Sequence, residues 1–382
     1  MVSAAVFADM NGDGSPDLVL AREWGPVVLL LNTGPGRFVP APASWGLESW
    51  AGRWNGIATG DLDGDGRLDL VATGWGRNTS LHASPEDPLV LIHGQFGARN
   101  EDEMFLARRD PRLDELAPLT PFTRARLAVP AVASRFPTFA AYAAARLDQV
   151  VGAIPARVER LEAVTLDHIA FLNRGDHFDP MPLPALAQLA PAFAATIADF
   201  DGDGLEDVFL GQNFSPTIVG TQRFDAGRGL LLAGDGKGGL RPMSGRESGI
   251  VVYGDQRGVA AADYDGDGRL DLAVSQNGAL TRLFHNRGAR PGLRVRLEGP
   301  ASNPDGIGAR IRIWYGDRGG AGPAREVQAG SGYWSQNGAV QVFGLAGTPA
   351  EVRVRWPDGT ESRESVPSGA REVVVRRSDP RR

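Results

Sequence analysis

Cysteine is absent from the 382 residues of this chain. No disulfide can brace the fold, no thiolate can act as nucleophile or metal ligand, and the redox compartment leaves no mark on the sequence. Long apolar runs are absent too, which excludes a membrane-spanning helix of ordinary length. The chain opens Met1-Val2-Ser3 and enters a strand-like stretch at once, without the charged and apolar segments of a secretory signal. Histidine is scarce. His82, His93, His168, His177 and His285 show neither HxH nor HExxH spacing, so a transition-metal centre has no local motif. GxSxG and P-loop sequences are missing as well, and an enzyme is not the expected reading.

What the chain has in quantity is glycine (50) and proline (27), the composition of a turn-rich β protein. Much of the glycine lies in one nine-residue acidic loop written four times: DMNGDGSPD (Asp9 to Asp17), DLDGDGRLD (Asp61 to Asp69), DFDGDGLED (Asp199 to Asp207) and DYDGDGRLD (Asp263 to Asp271). Oxygen side chains at positions 1, 3, 5 and 9 converge when glycines at 4 and 6 let the backbone turn inward, and the position 7 carbonyl adds a further oxygen. That pattern predicts about four Ca²⁺ ions. Their ligands are Asp9, Asn11, Asp13, Ser15 and Asp17; Asp61, Asp63, Asp65, Arg67 and Asp69; Asp199, Asp201, Asp203, Leu205 and Asp207; and Asp263, Asp265, Asp267, Arg269 and Asp271. Ser15, Arg67, Leu205 and Arg269 take part through their backbone carbonyls.

The loops are not EF-hands. Position 12, where an EF-hand carries Glu, holds Leu20, Ala72, Leu210 and Val274, and the flanking segments alternate like short strands. A second motif follows: LLLNTGPGRF (Leu29 to Phe38), IAFLNRGDHF (Ile169 to Phe178), LLLAGDGKGGL (Leu230 to Leu240) and RLFHNRGARPGL (Arg282 to Leu293) each read as strand, glycine turn, strand. Two hairpins per unit of roughly 50 residues are the signature of a four-stranded propeller blade.

The D-x-D-G-D-G-x-x-D-L run with its L-x-N-x-G-x-G-x-F partner resembles the FG-GAP/VCBS repeat, which builds calcium-binding β-propellers, including the head of integrin α subunits. The tail from Asn303 to Thr360 resembles the ASPIC/UnbV domain, GSGY at Gly330 to Tyr333 included. That pairing resembles the cartilage acidic protein family and its bacterial relatives. The expected fold is therefore mainly β: a propeller of four-stranded blades with calcium loops over residues 1–290, then a small β-barrel or sandwich over 291–376 and a disordered tail at 377–382. Residues 104–165, rich in Ala, Arg and Leu and broken by prolines, read as a helical insertion, either a lid on one propeller face or a cap on an exposed edge. Five units are expected, at residues 1–48, 49–92, 93–188, 189–247 and 248–290, the third without an acidic loop. Family propellers usually have seven, so the chain resembles a propeller that lacks its first blades, and with them an upstream signal, or one closed with fewer blades.

The resemblance and the loops together imply a site outside the cytoplasm, in the periplasm, at the cell surface or in the medium, where calcium is near millimolar. The formal charge of −6 does not oppose this. The loops hold fifteen of the 46 carboxylates at ligand positions, three in the first and four in each of the others, and four ions would leave about +2. No nucleic-acid partner is expected.

Register offers a ligand site. Trp54, Asn55, Phe193, Gln256 and Arg257 stand six or seven residues before their loops, where a propeller's innermost strands begin, and aromatic, amide and guanidinium groups there suit a glycan or a carboxylated ligand. The opposing reading is that Trp54, with Trp45, Trp50 and Trp75, fills gaps between blades. Arg174-Gly175-Asp176 is read as turn chemistry rather than an adhesion tripeptide. Function is thus expected to be binding or adhesion toward a glycan or extracellular protein. The alternative is an extracellular enzyme with its active site on the channel face.

Overall fold

Strands form on both sides of each acidic loop because small and β-branched residues alternate there, and each loop closes an antiparallel pair in the same register. The closing pairs are Ala8 with Asp17, Gly60 with Asp69, Ala198 with Asp207 and Ala262 with Asp271. The computed structural model describes residues 1–96, 101–152, 158–216, 222–316, 319–331 and 333–377.

Four sheets follow from the four pairs. The first comprises Val2–Ala8, Asp17–Gly25, Val28–Asn32 and Phe38–Pro40 in spatial order, with Gly52–Arg53 also paired to the end of Asp17–Gly25, and the third comprises Ala192–Ala198, Asp207–Gln212, Leu230–Gly234 and Leu240–Pro242. The second corrects the division into five units. Gly56–Gly60 and Asp69–Thr73 are completed by Ile169–Asn173 and Phe178–Pro182, so IAFLNRGDHF closes the second repeat instead of founding a loopless third. The fourth sheet has three strands, Asp255–Ala262, Asp271–Asn277 and Ala279–Phe284.

The first strands of successive sheets lie side by side in chain order. Their Ala and Gly content makes this approach possible: a Cβ on Gly56 would come within 2.1 Å of the Phe193 carbonyl oxygen, and one on Gly60 within 2.5 Å of Ile197. The apolar cores between neighbouring sheets fill with Leu70, Phe171 and Phe178, then Leu62, Val208 and Leu210, then Phe209, Val259 and Leu272.

The excursion of the second sheet covers residues 74–168. It contains four short helices, Phe122–Ala128, Ala131–Arg135, Phe139–Ala143 and Leu147–Val151, and also a sheet of Leu89–Gly94, Glu103–Asp110, Glu115–Pro118 and Glu159–Ala163. Pro121 and Pro130 sit at helix N-caps, where a missing N–H costs little, and Phe105, Phe122, Phe136 and Tyr142 form its own core. Leu89, Ala163 and Leu166 dock it on Trp24 and Trp75, at the strand ends away from the acidic loops.

The C-terminal region packs two sheets over one core of Leu293, Val295, Ile311, Val352 and Trp356. One sheet holds Leu293–Glu298, Gln341–Phe343 and Glu372–Arg376, the other Arg310–Tyr315, Arg325–Glu326, Pro349–Arg355 and Glu361–Ser365. It is a sandwich and not a closed barrel. Residues 378–382 of the expected tail, and Gly332 of the GSGY motif, lie outside the described residues.

Candidate metal centres

The four loops repeat one hydrogen-bond scheme. Oδ2 of the first aspartate accepts the N–H of the second glycine at 2.9 Å in every loop, pairing Asp9 with Gly14, Asp61 with Gly66, Asp199 with Gly204 and Asp263 with Gly268. The fifth-position aspartates Asp13, Asp65, Asp203 and Asp267 accept from the N–H two residues on, at Ser15, Arg67, Leu205 and Arg269, at 2.7 to 2.9 Å. Both glycines lie at positive φ in all four loops, for instance 73° and 94° at Gly64 and Gly66, a conformation that only glycine adopts without strain.

The last aspartate of each loop is aimed by the following hairpin. Asp17, Asp69, Asp207 and Asp271 accept on Oδ1 from the N–H of Asn32, Asn173, Gly234 and Asn286 at 2.7 to 2.9 Å. Asn173 and Asn286 also tie neighbouring loops together. Asn173 Nδ2 donates to Leu68 O and Met10 O at 3.1 and 2.8 Å, and Asn286 Nδ2 to Leu270 O and Phe200 O at 3.0 and 2.7 Å. The recurrent L-x-N motif was legible in sequence, but its role as an orienting group was not.

Three of the loops bring carboxylate oxygens within 4.8 Å of one another: Asp61, Asp63 and Asp69; Asp199, Asp201 and Asp203; and Asp263, Asp265 and Asp271. The first loop offers Asn11 where the others have Asp. Two buried oxygens, Asp9 Oδ1 and Asp61 Oδ1, have no hydrogen-bond partner among the described residues. A buried carboxylate oxygen without a donor costs free energy unless a cation faces it. Apart from His285, whose Nε2 lies 2.9 Å from Asp265 Oδ2 at the fourth loop, the donors are acidic oxygens, which fits a hard divalent cation such as Ca²⁺.

Burial and mutual repulsion raise the carboxyl pKa values here. Desolvation pushes Asp69 and Asp207 up to about 8, and Asp17 and Asp61 up to about 6. Neighbouring aspartates add to each rise, and the backbone N–H groups described above oppose it.

The C-terminal sandwich sits on these loops and touches the first aspartate of all four. Arg310 lies 3.6 Å from Asp9, the Ala324 N–H donates to Asp61 Oδ2 at 2.7 Å, the Gly344 N–H donates to Asp199 Oδ2 at 3.0 Å, and Arg294 pairs with Asp263. Arg355 reaches the carbonyls of Gly12 and Asp13. Arg294, Arg310, Arg312 and Arg355 of the C-terminal strands are thus directed at the chain's own acidic loops, whereas Arg296 and Arg353 pair with glutamates of the sandwich. Between them lies a buried ion pair, Arg325 Nε to Glu206 Oε1 at 2.5 Å, with the Arg325 guanidinium 4.5 Å above the Phe343 ring.

The expected ligand residues divide into two groups. Trp54 is buried against Gly52 and Phe171, Asn55 Nδ2 donates to Gly74 O and Ala192 O, and buried Gln256 donates to Val252 O. Phe193 and Arg257 meet each other, with the guanidinium 4.2 Å over the ring and Tyr333 on the far side at 5.7 Å. Trp45 and Trp50 pack on Phe178 and Phe171. Arg174 bonds Asp63 and Asp179, which ties the RGD turn to the second loop. Buried His168 accepts the Gly74 N–H on Nδ1 and donates from Nε2 to Ala190 O, a structural role.

Comparison with known proteins agrees with this architecture. Residues 9–72 match the FG-GAP-like repeat and residues 299–382 match ASPIC and UnbV. The two matches place an FG-GAP-like repeat in the N-terminal part of the chain and an ASPIC/UnbV region at its C-terminal end. The chain is homologous, at low identity, to cartilage acidic protein 1. The Homo sapiens protein is 24% identical over 380 residues, covering 96% of this chain and 42% of the relative, and the Mus musculus protein is 28% identical over 220 residues, covering 53% and 31%. The chain therefore spans about two-fifths of the human relative's length. Among solved structures, the BP39L lectin from Burkholderia pseudomallei aligns over 97% of this chain and 96% of that chain at 14% identity. Its TM-score of 0.28 is too low to carry a conclusion about fold.

Proposed function

We propose that the four sheets are blades of a β-propeller sector, that each acidic loop holds one Ca²⁺ ion, and that the chain is an extracytoplasmic, adhesion-like binding module for a glycan or protein partner. The observation that carries the metal assignment is the buried first aspartate. Asp61 is fully buried, one oxygen is held by Gly66 and Ala324, and the other has no hydrogen-bond partner among the described residues while Asp63 and Asp69 converge beside it. Bound calcium would supply the charge that holds such carboxylates together. The chain's own residues do the rest: glycines shape the loop, Asn32, Asn173 and Asn286 aim its last ligand, and the C-terminal sandwich closes over it.

A role outside the cytoplasm follows from the weak affinity expected of surface loops, which fill where calcium is near millimolar. Among the described residues no helix is long and apolar enough to cross a membrane. The adhesion-like reading rests on the homology to cartilage acidic protein 1 and on the absence of catalytic motifs.

Thermal unfolding in EDTA and across a calcium titration, with bound metal counted by elemental analysis, tests the assignment. About four ions and a rise in Tm of about 10 °C or more are expected, since each site at a hundred times its Kd adds about 2.7 kcal/mol. An unchanged Tm, or a stoichiometric transition metal in place of calcium, would reject it.

A further inference from the structure

Three of the four repeat sheets end in the same short strand. In the first, Asn32, Leu31 and Leu30 pair with Phe38, Val39 and Pro40; in the second, Asn173, Leu172 and Phe171 pair with Phe178, Asp179 and Pro180; in the third, Gly234, Ala233 and Leu232 pair with Leu240, Arg241 and Pro242. The pattern each time is an apolar residue, any residue, then proline. Proline is tolerated because this strand is the outermost and needs no further ladder bond on its free side.

The fourth sheet lacks this strand among the described residues. The alignment is fixed by the hydrogen bond that aims the last loop aspartate, which makes Asn286 the equivalent of Asn32, Asn173 and Gly234. Leu293 is the apolar residue that sequence places in the missing strand. Instead it is fully buried in the C-terminal core, paired with Phe343. The chain is diverted to begin the next domain, and Ala279–Phe284 is left as an edge, with Leu280 and Leu283 81% and 59% exposed.

A cavity of about 480 Å³ lies beside this edge, lined by Leu231, Met243, Ile250, Leu270, Leu272 and Phe284. Its position matches the seat of the apolar residue in the complete sheets. Phe178 packs on Trp45, in the connection leaving the first sheet, and Leu240 packs with Leu183 and Ala187, in the connection leaving the second. The connection leaving the third sheet, at Glu247 to Ile250, is a wall of the cavity.

We propose that this edge is a strand-addition site for a partner polypeptide carrying an apolar–any–proline segment. The segment pairs antiparallel to Ala279–Phe284 with its proline opposite Phe284, and its apolar side chain enters the cavity. Main-chain bonds give such docking its affinity and the pocket gives it selectivity. A second copy of the chain is a poorer occupant: its open edge, ALTRLF, has no proline, and its three matching strands are already paired within their own sheets. The inference deepens the protein-partner reading above but rests on strand register alone, so it holds whether or not the loops take calcium.

The test uses a fluorescent peptide copying residues 173–183, NRGDHFDPMPL, titrated against the whole chain in calcium, with bound metal counted separately so that the two readings fail independently. Saturable binding is expected, with at least about tenfold weakening when the peptide's phenylalanine becomes aspartate. L283K, at an exposed position, should weaken binding similarly with Tm unchanged, and the peptide should slow amide exchange at residues 279–286. Equal binding of both peptides, or no binding, overturns the proposal. So does a dimer of the chain alone, joined through Ala279–Phe284, that the peptide does not dissociate.

Discussion

Gly344 and Asp199 stand 145 residues apart in the chain, yet the Gly344 N–H donates to Asp199 Oδ2 at 3.0 Å. The same oxygen accepts from Gly204, so one carboxylate joins the third loop to the C-terminal sandwich. A Cβ on Gly344 would meet Asp199 Oδ2 at 2.1 Å. Gly344→Ala is therefore expected to push the loop apart at a cost of about 2–3 kcal/mol, in the range of overpacking and of a broken buried hydrogen bond. Elemental analysis should count one calcium fewer than in the wild type. An unchanged count and Tm would show that the sandwich does not shape the loop.

Removing the first aspartate itself should act on stability alone. Asp61→Ala, Asp199→Ala and Asp263→Ala are each expected to lower Tm in excess calcium, because the change deletes the acceptor of two donors at Asp61 and of four at each of Asp199 and Asp263, together with a proposed metal ligand. The cost expected for each is about 2–4 kcal/mol. Differential scanning calorimetry in calcium buffer decides, and wild-type melting temperatures for all three would reject the assignment.

The Glu206–Arg325 pair is fully buried, and burial holds the Glu206 carboxyl up at about 7 although Arg325 pulls it down. Breaking such a pair leaves an uncompensated buried group, so Glu206→Leu and Arg325→Met should each cost about 3–5 kcal/mol. Replacing both together by Leu and Met should recover most of that. Urea unfolding of the four proteins in a double-mutant cycle measures the coupling, and simple additivity would show that the two groups act independently.

His168 makes stability depend on pH. Burial lowers its pKa to about 4 from 6.5, while the Ala190 carbonyl and the Asp167 charge pull the other way. Between those values the unfolded chain binds the proton and the folded chain does not. The contribution is therefore complete above pH 6.5 and is lost as pH falls toward 4, by up to about 3 kcal/mol. His168→Gln, which keeps one donor and one acceptor, should flatten the stability profile in that window. Parallel profiles for variant and wild type would assign the acid sensitivity to other groups.

The loop turns were legible because their requirements are local. Glycine at positive φ, aspartate at fixed spacing and flanking alternation lie within about twenty residues, and both glycines of all four loops lie at positive φ, while three of the four loops bring carboxylate oxygens together. The count of repeats was not legible. IAFLNRGDHF resembles any other second hairpin, and only strand pairing across the excursion at residues 74–168 assigns it to the loop at Asp61. The sequence alternates Arg294, Arg296, Arg310, Arg312, Arg353 and Arg355 with apolar residues, but a strand pattern says which residues share a face and not what that face meets.

By itself, then, the sequence determined the hairpin repeat, the acidic loops, the helices broken by proline and the alternating strands of the tail, since hydrogen bonding and side-chain period act between near neighbours. Tertiary structure alone decided that the first strands of the four sheets lie side by side, that Asn173 and Asn286 tie loop to loop, and that the C-terminal sandwich brings an arginine or a backbone N–H group to every first aspartate. It also sent Leu293 into the next domain and left the fourth sheet open. Those contacts join residues far apart in the chain, and they form because burying apolar faces between sheets brings together polar groups that no local pattern pairs.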